Sequence, residues 1–404
     1  MNVQNQPQAM TAAMRRNLLL LTLCQAIAQS GNVIMLSITA LSVIGFFPYR
    51  EMATLPATLQ HFGVMLGVFP ASALMMRMGR GFGFRVGSLF GMAGAAFGGW
   101  GLYSADFLMM CLGGLVLGYS IANLNLYRFA AVELVPFSYR ARAIAWVTAG
   151  GVLAASIGPL VVRTTFDSMA PIYLGCYLAM IGIHAVVFML MGFVDFPPVQ
   201  RQARAEGPVR PMLTIARQPR YAASVIAGTA AWAAMMFLMS SSPLAIVGCG
   251  LPPTEPPFVI FLHATSMYVP SFFTGHLIGR FGTERIMALG CAILLACVVV
   301  AVSGMTVWHF RLALMLNGIG WNFLFVGATA LITTCYRPSE RGKAQAFNDF
   351  MIFGTTACAS FLAGVLQERI GWTALNLLSV VLVGLACGAV AWLALQRQRE
   401  AAVV

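Results

Sequence analysis

Charge is the scarcest thing in this sequence. Asp, Glu, Lys and Arg together make up 9% of 404 residues, and only 12 residues are acidic. A soluble domain of this length cannot solvate its surface with so few charges, so that class is excluded. The nine cysteines (24, 111, 176, 249, 291, 297, 335, 358 and 387) contain no Cys-x-x-Cys, which removes zinc ribbons and disulfide scaffolds. Most are expected as small core hydrophobes. There is no nucleophile–base set, phosphate loop or soluble catalytic domain to support an enzyme. Long polar sequence is scarce too; the one such stretch is 195–220.

What is abundant is apolar sequence. Hydrophobic residues make up 59% of the chain, and its mean hydropathy is +0.82. The apolar stretches number about twelve, each near the ~20 residues a bilayer requires. They run roughly over 17–46, 52–76, 84–104, 107–130, 141–162, 172–194, 221–247, 256–279, 286–304, 310–334, 343–366 and 371–396. The residues up to Arg15 and Arg16 are polar, without the apolar region of a cleaved signal.

The net charge of +12 is not a nucleic-acid footprint, because the basic residues sort by membrane side. Of the 24, only Arg50, Arg163, Arg311 and Arg369 fall opposite the N-terminus. Positive residues stay inside, so both termini are expected in the cytoplasm, in a monomeric, multi-pass protein of a bacterial inner membrane.

The chain reads as a unit built twice. A first six-span half, 1–194, and a second, 221–404, flank the basic linker 195–220, which holds five arginines and five prolines. Arg77-Met-Gly79 after span 2 returns as Arg280-Phe-Gly282 after span 8. Arg140-Ala-Arg142-Ala-Ile-Ala-Trp146 returns as Arg341-Gly-Lys343-Ala-Gln-Ala-Phe347. Six spans per half keep the halves parallel, the repeat plan of alternating-access carriers with a site near mid-membrane.

Two His-x-x-x-Met pairs, His61/Met65 and His263/Met267, stand at the same place in that repeat, 202 residues apart. The spacing arises by chance about 0.3 times at this composition. Met235-x-x-x-Met239 lies on span 7, just before His263 on span 8. At ~1.5 Å per residue, Met239 and His263 lie roughly 12 and 10 Å below the outer ends of their spans, and Met235 and Met267 roughly 18 and 16 Å. Residues at i and i+4 share a helix face, so the two pairs match level for level. Thioether and imidazole are neutral, soft or borderline ligands that favour Cu(I) over hard cations. Met235, Met239, His263 and Met267 are therefore expected to hold a copper ion as transported substrate, with no resident cofactor. His61, Met65 and Met35 extend the set by pseudo-symmetry, and Cys249 stands at the outer end of span 7 to meet an incoming ion.

Arg77-Met-Gly79-Arg80, with its echo Gly279-Arg280-Phe-Gly282-Thr-Glu-Arg285, resembles the signature loop of the major facilitator superfamily. The resemblance covers essentially the whole chain and implies an all-α fold of 12 transmembrane helices in two six-helix halves. It also implies that Arg77, Gly79, Arg80, Arg280 and Gly282 serve in gating. Met76 and Gly279 stand where the signature acid belongs, which puts the usual acidic latch in doubt. The paired Met and His motifs of spans 7 and 8 resemble those of the CcoA-like branch, the CalT copper importers. That likeness implies copper import for assembly of cbb3-type cytochrome oxidase, with copper chaperones or oxidase assembly factors as downstream partners.

Other features leave room for a different cargo. Among the acids, Asp349 alone lies clearly inside a span, near its inner end, where it either serves coupling or pairs with a nearby base. Arg128 is expected to snorkel or to pair with Glu133. Gln25, Gln29, Asn32, Asn123, Asn125, Asn317 and Asn322 enter the spans and suit interhelical hydrogen bonds or an organic-solute pocket. Trp232, Trp321 and Tyr119 could stack a flat ring, and the resemblance extends to riboflavin-type importers, so a small organic solute such as riboflavin is the alternative. A haem protein would need facing histidines; of the five present, His61 and His263 are the one plausible pair.

Overall fold

A computed structural model describes residues 10–136, 139–197, 210–337 and 340–402. These residues form helices and the turns between them, with no strand among them. The first half supplies α1 (Ala12–Ile44), α2 (Leu55–Met78), α3 (Arg80–Tyr103), α4 (Phe107–Leu124), α5 (Arg140–Thr165) and α6 (Leu174–Met191). The second supplies α7 (Pro219–Gly248), α8 (Glu255–Phe281), α9 (Thr283–Ser303), α10 (Val307–Ile332) and one 62-residue run, Arg341–Ala402. Gly371, at φ 74°, bends that run into α11 (341–370) and α12 (372–402). The twelve helices match the expected spans to within several residues at their ends. Part of the linker, 198–209 with Arg201 and Arg204, lies outside the described residues, as do the side chains of Arg140, Arg142 and Arg341.

The chain divides into two compact units, and the cut runs through α1 and α2. Unit 1 holds residues up to Met35 and Leu66–Arg201; unit 2 holds Leu36–Met65 and everything from Gln202 onward.

In unit 1 the helices meet through glycine. A Cβ on Gly94 of α3 would lie 2.7 Å from the Leu117 nitrogen of α4, and one on Gly113 would lie 2.6 Å from the Gly98 nitrogen. The backbones touch because nothing stands between them, the usual way helices associate where lipid gives no hydrophobic drive. The opposite face of α3 meets α6, where Gly91 receives the His184 ring and Gly98 receives Tyr177. Asp106 caps α4 by accepting from Leu108 N at 2.9 Å and Met109 N at 3.1 Å.

Glu133 pairs with Arg80, at 2.7 and 3.3 Å, rather than with Arg128 as one sequence expectation had it. The Arg128 guanidinium lies 4.9 Å from the centre of the Phe129 ring instead. Sequence distance misled here, because the short helix Tyr127–Ala131 turns Arg128 onto its own neighbour.

In unit 2, α9 and α10 approach in the same manner at Gly290 and Gly320, whose added Cβ atoms would lie 2.9 and 3.0 Å from the partner's carbonyl oxygen. The segment 36–65 packs with this unit. Arg369 of α11 donates to Glu51 at 2.8 Å. Thr54 fills the space that a side chain on Gly364 would need. The Met65 sulfur lies 3.3 Å from the Cβ position of Gly354.

α8 is expected as one unbroken span, but it parts at Val269 and Pro270 into Glu255–Tyr268 and Ser271–Phe281. Proline lacks an N–H and leaves carbonyls of the preceding turn unmatched. Asn322 of α10 repairs the break: its Nδ2 donates to Met267 O at 2.7 Å, while its Oδ1 accepts from Thr274 at 2.6 Å. Asn317 Nδ2 likewise donates to Met235 O at 3.1 Å. Both asparagines thus serve interhelical hydrogen bonding.

The end of the linker is fastened to the same unit. Arg210 makes a two-pronged pair with Glu340, 2.7 Å on each prong, and the Glu340 side chain is fully buried. Lys343 donates to the Arg210 carbonyl. The guanidinium holds the Glu340 carboxyl well below the usual carboxylate range.

The two repeated loops share one backbone shape. Gly79 sits at φ 91°, ψ 160° and Gly282 at φ 88°, ψ 152°, each opening the helix that follows. A residue with a side chain is strained at such φ, so glycine is required at both turns.

Candidate functional site

The alanines of α7 around Trp232 (Ala230, Ala231, Ala233 and Ala234) are buried and let neighbouring helices come close. Trp232 then meets rings from two other helices of unit 2. Its centroid lies 5.1 Å from Trp321 of α10 at an interplanar angle of 87°, and 5.6 Å from Phe325 at 89°. Phe353 of α11 lies 5.9 Å away. Trp321 and Phe325, one helical turn apart, are stacked at 5.0 Å and 19°. Edge-to-face and offset contacts of this kind each add about 0.5–1.5 kcal/mol beyond simple burial.

The polar atoms of this cluster are not satisfied. The Nε1 atoms of both Trp232 and Trp321 are buried with no hydrogen-bond partner. The same holds for Thr229 Oγ1, one turn before Trp232, and Thr356 Oγ1, one turn after Phe353. A buried unpaired donor costs about 1–3 kcal/mol. Four such groups thus lie on the three helices that carry the rings.

The residues expected to hold copper lie elsewhere on the helices. Met235, Met239 and Met267 are buried in unit 2. His263 is fully buried, with Nδ1 donating to Leu314 O of α10 at 2.8 Å and Nε2 unpartnered. Its ring is therefore committed on one edge to the backbone of α10. His61 Nδ1 donates to Ala57 O at 2.8 Å, within its own helix. Met65 packs against α11, as above, and Met35 is buried in α1 within unit 1. The thiol of Cys249 is exposed and lies 3.7 Å from the Met305 sulfur, and partial burial pushes the thiol up from its ordinary pKa. Among the described residues, no three or more of His, Cys, Asp and Glu gather at one place. Asp349 accepts from its neighbour Asn348 at 3.1 Å. Tyr119 leans on Phe90 in unit 1, with centroids 4.3 Å apart.

Sequence reading named Trp232 and Trp321 but missed Phe325, Phe353, Thr229 and Thr356. Trp321-x-x-x-Phe325 was a visible signal, two large rings on one face of a span.

The sequence profile of the Major Facilitator Superfamily matches residues 18–303 and 249–403. The chain belongs to that superfamily. It is a multi-pass membrane transporter rather than an enzyme. Solved superfamily folds agree. A bacterial homologue of the iron transporter ferroportin, outward-facing, matches 95% of the chain and 100% of that structure with a TM-score of 0.66 at 14% identity. The transporter FucP in its outward conformation matches 93% and 97% with a TM-score of 0.61 at 16% identity.

Among curated proteins, the riboflavin transporter RfnT of Brucella anthropi is 41% identical over 379 residues, covering 92% of this chain and 94% of its own. The Bacillus subtilis transporter YddS, of uncharacterised function, is 26% identical over 96% of the chain and 92% of its own. The expectation of copper import, drawn from the Met and His spacing and the CcoA-like resemblance, is overturned by the likeness to a riboflavin transporter. The physical reason is that i,i+4 spacing shows which residues share a face, not what that face meets. With copper go the expected links to oxidase assembly.

Proposed function

We propose that this superfamily member carries riboflavin, or a closely similar flat heteroaromatic solute, across the bacterial inner membrane. The observation that carries the reading is the 41% identity with a riboflavin transporter over 92% of the chain. The ring cluster of α7, α10 and α11 supplies a physical means: aromatic faces for stacking and unspent donors for a polar ring edge. Both termini and the linker 195–220 are assigned to the cytoplasm, from the distribution of basic residues. The halves 1–194 and 221–404 are assigned the alternating-access motion that the repeat implies. The loops at Gly79 and Gly282, with Arg77, Arg80 and Arg280, are assigned to that motion.

Met235, Met239 and Met267 are assigned to the wall of the solute passage. Met235 and Met239 lie three and seven residues beyond Trp232, on the same face of α7. Unbranched thioethers fit an irregular boundary and yield when a ring passes.

Expression in a riboflavin-auxotrophic bacterium lacking its own importer is the test. Growth on low riboflavin, absent with empty vector, is the expected result. No rescue by a protein shown to reach the membrane would refute the cargo.

A further inference from the structure

Both indole N–H groups of the ring cluster are buried and unpaired, and that fact narrows the chemistry of what enters. Indole nitrogen donates and never accepts. A ligand group that satisfies it must therefore be an acceptor: a carbonyl oxygen or a ring nitrogen with a free lone pair. The two indoles meet edge to face at 87°, and neither nitrogen has a lone pair with which to accept a hydrogen bond from the other. Trp321 is only 5% exposed, which leaves bulk water little part in satisfying its donor. Threonine could either donate or accept, so Thr229 and Thr356 add no bias against this reading.

We propose that Trp232 and Trp321 determine specificity by donating their indole N–H groups to the acceptor-bearing edge of a flat heteroaromatic ring, whose face packs on the cluster. The site then selects rings with carbonyl or imine acceptors over rings of the same shape without them. This proposal rests on the flavin-class reading above and adds which atoms do the recognising. A pocket built to hydrogen-bond a ligand group discriminates strongly against the analogue lacking it, because its own polar atoms are left unpaired. A purely apolar ring pocket would distinguish the two poorly.

The test uses the full-length protein purified in detergent, with Trp232→Phe and Trp321→Phe as variants. Phenylalanine keeps a ring but deletes the donor. Binding is read by quenching of ligand fluorescence for three probes: riboflavin, lumichrome (the carbonyl-bearing ring without the sugar-like chain) and anthracene, a tricyclic ring without acceptors. The indole N–H stretch is followed in infrared difference spectra. Each variant is first shown to be monodisperse with a melting point near that of the unaltered chain.

The expected result is binding of riboflavin and lumichrome but not anthracene, weakened about 10-fold in each variant. An N–H band that shifts on binding should lose part of its intensity in each variant. Unchanged affinity in both folded variants would overturn the proposal, as would anthracene binding as tightly as lumichrome. If a variant does not fold, the infrared shift in the unaltered chain decides: an unmoved band refutes the donors. If lumichrome binds through the indoles and riboflavin does not, the donor assignment stands and the cargo reading falls. If neither binds, both fall.

Discussion

The two units solve helix packing alike and then diverge. In unit 1, α3 is a strip of glycine that lets α4 on one side and α6 on the other come to backbone distance. Its counterpart in unit 2 uses Gly290 and Gly320 for the same approach between α9 and α10. Beyond that contact, α10 turns Trp321 and Phe325 toward Trp232 and Phe353, and their polar atoms remain unspent. In α4, by contrast, Tyr119 rests on Phe90 across the helix pair. Close backbone contact gives a stiff frame, and a stiff frame is what lets a neighbouring cluster hold unsatisfied donors in place. The difference separates residues that set the fold from residues that read a solute.

The sharpest break of that comparison is Gly94→Leu in unit 1. The added side chain would meet the α4 backbone, at a cost on the order of 3 kcal/mol or more. Little folded protein should reach the membrane, as judged by fluorescence-detected size exclusion of a tagged chain. Trp321→Leu, in unit 2, should do the opposite: near-normal abundance with riboflavin uptake reduced more than about 10-fold. If the two variants behaved alike, the division between frame and site would fail.

Acid titration probes the fastening of the linker end. Because Arg210 lowers the folded-state pKa of Glu340, its stabilisation is complete above the unfolded carboxylate value, about 4.3. It is lost as pH falls below that value toward the depressed folded one. Thermal melts in detergent should therefore hold down to about pH 5 and fall as the pH is lowered toward about 3, and Glu340→Gln should flatten that drop.

Smaller effects are expected where side chains only fill space. The double variant Met235→Leu/Met267→Leu should keep riboflavin uptake within about 2-fold of the unaltered chain, since these exchanges conserve volume. Arg369→Ala removes a half-exposed ion pair with Glu51, whose worth is about 0–1 kcal/mol. Its effect on uptake should be the least of the series.

The frame was legible because its signals are local. Hydropathy alone spaces the twelve helices, and the repeated Arg-x-Gly loops marked Gly79 and Gly282, which share one positive-φ turn. Gly371 fell at the expected join between the last two spans. The break in α8 was missed although Pro270 was visible, because its repair comes from Asn322, 52 residues away. The site was half legible for the same reason. Trp232 and Trp321 are 89 residues apart, and their meeting depends on the rotation of two helices about their axes. That rotation also sets His263 against the Leu314 carbonyl, which no i,i+4 spacing could show. The soft-ligand pattern was real as a pattern, and the cargo drawn from it was wrong.

The most direct measurement is solute flux into proteoliposomes holding the purified chain alone, with radiolabelled riboflavin and radiolabelled copper offered in parallel. Saturable riboflavin entry, competed by unlabelled riboflavin and absent for copper above protein-free vesicles, is the result expected of a flavin carrier. Copper entry without riboflavin entry would contradict it.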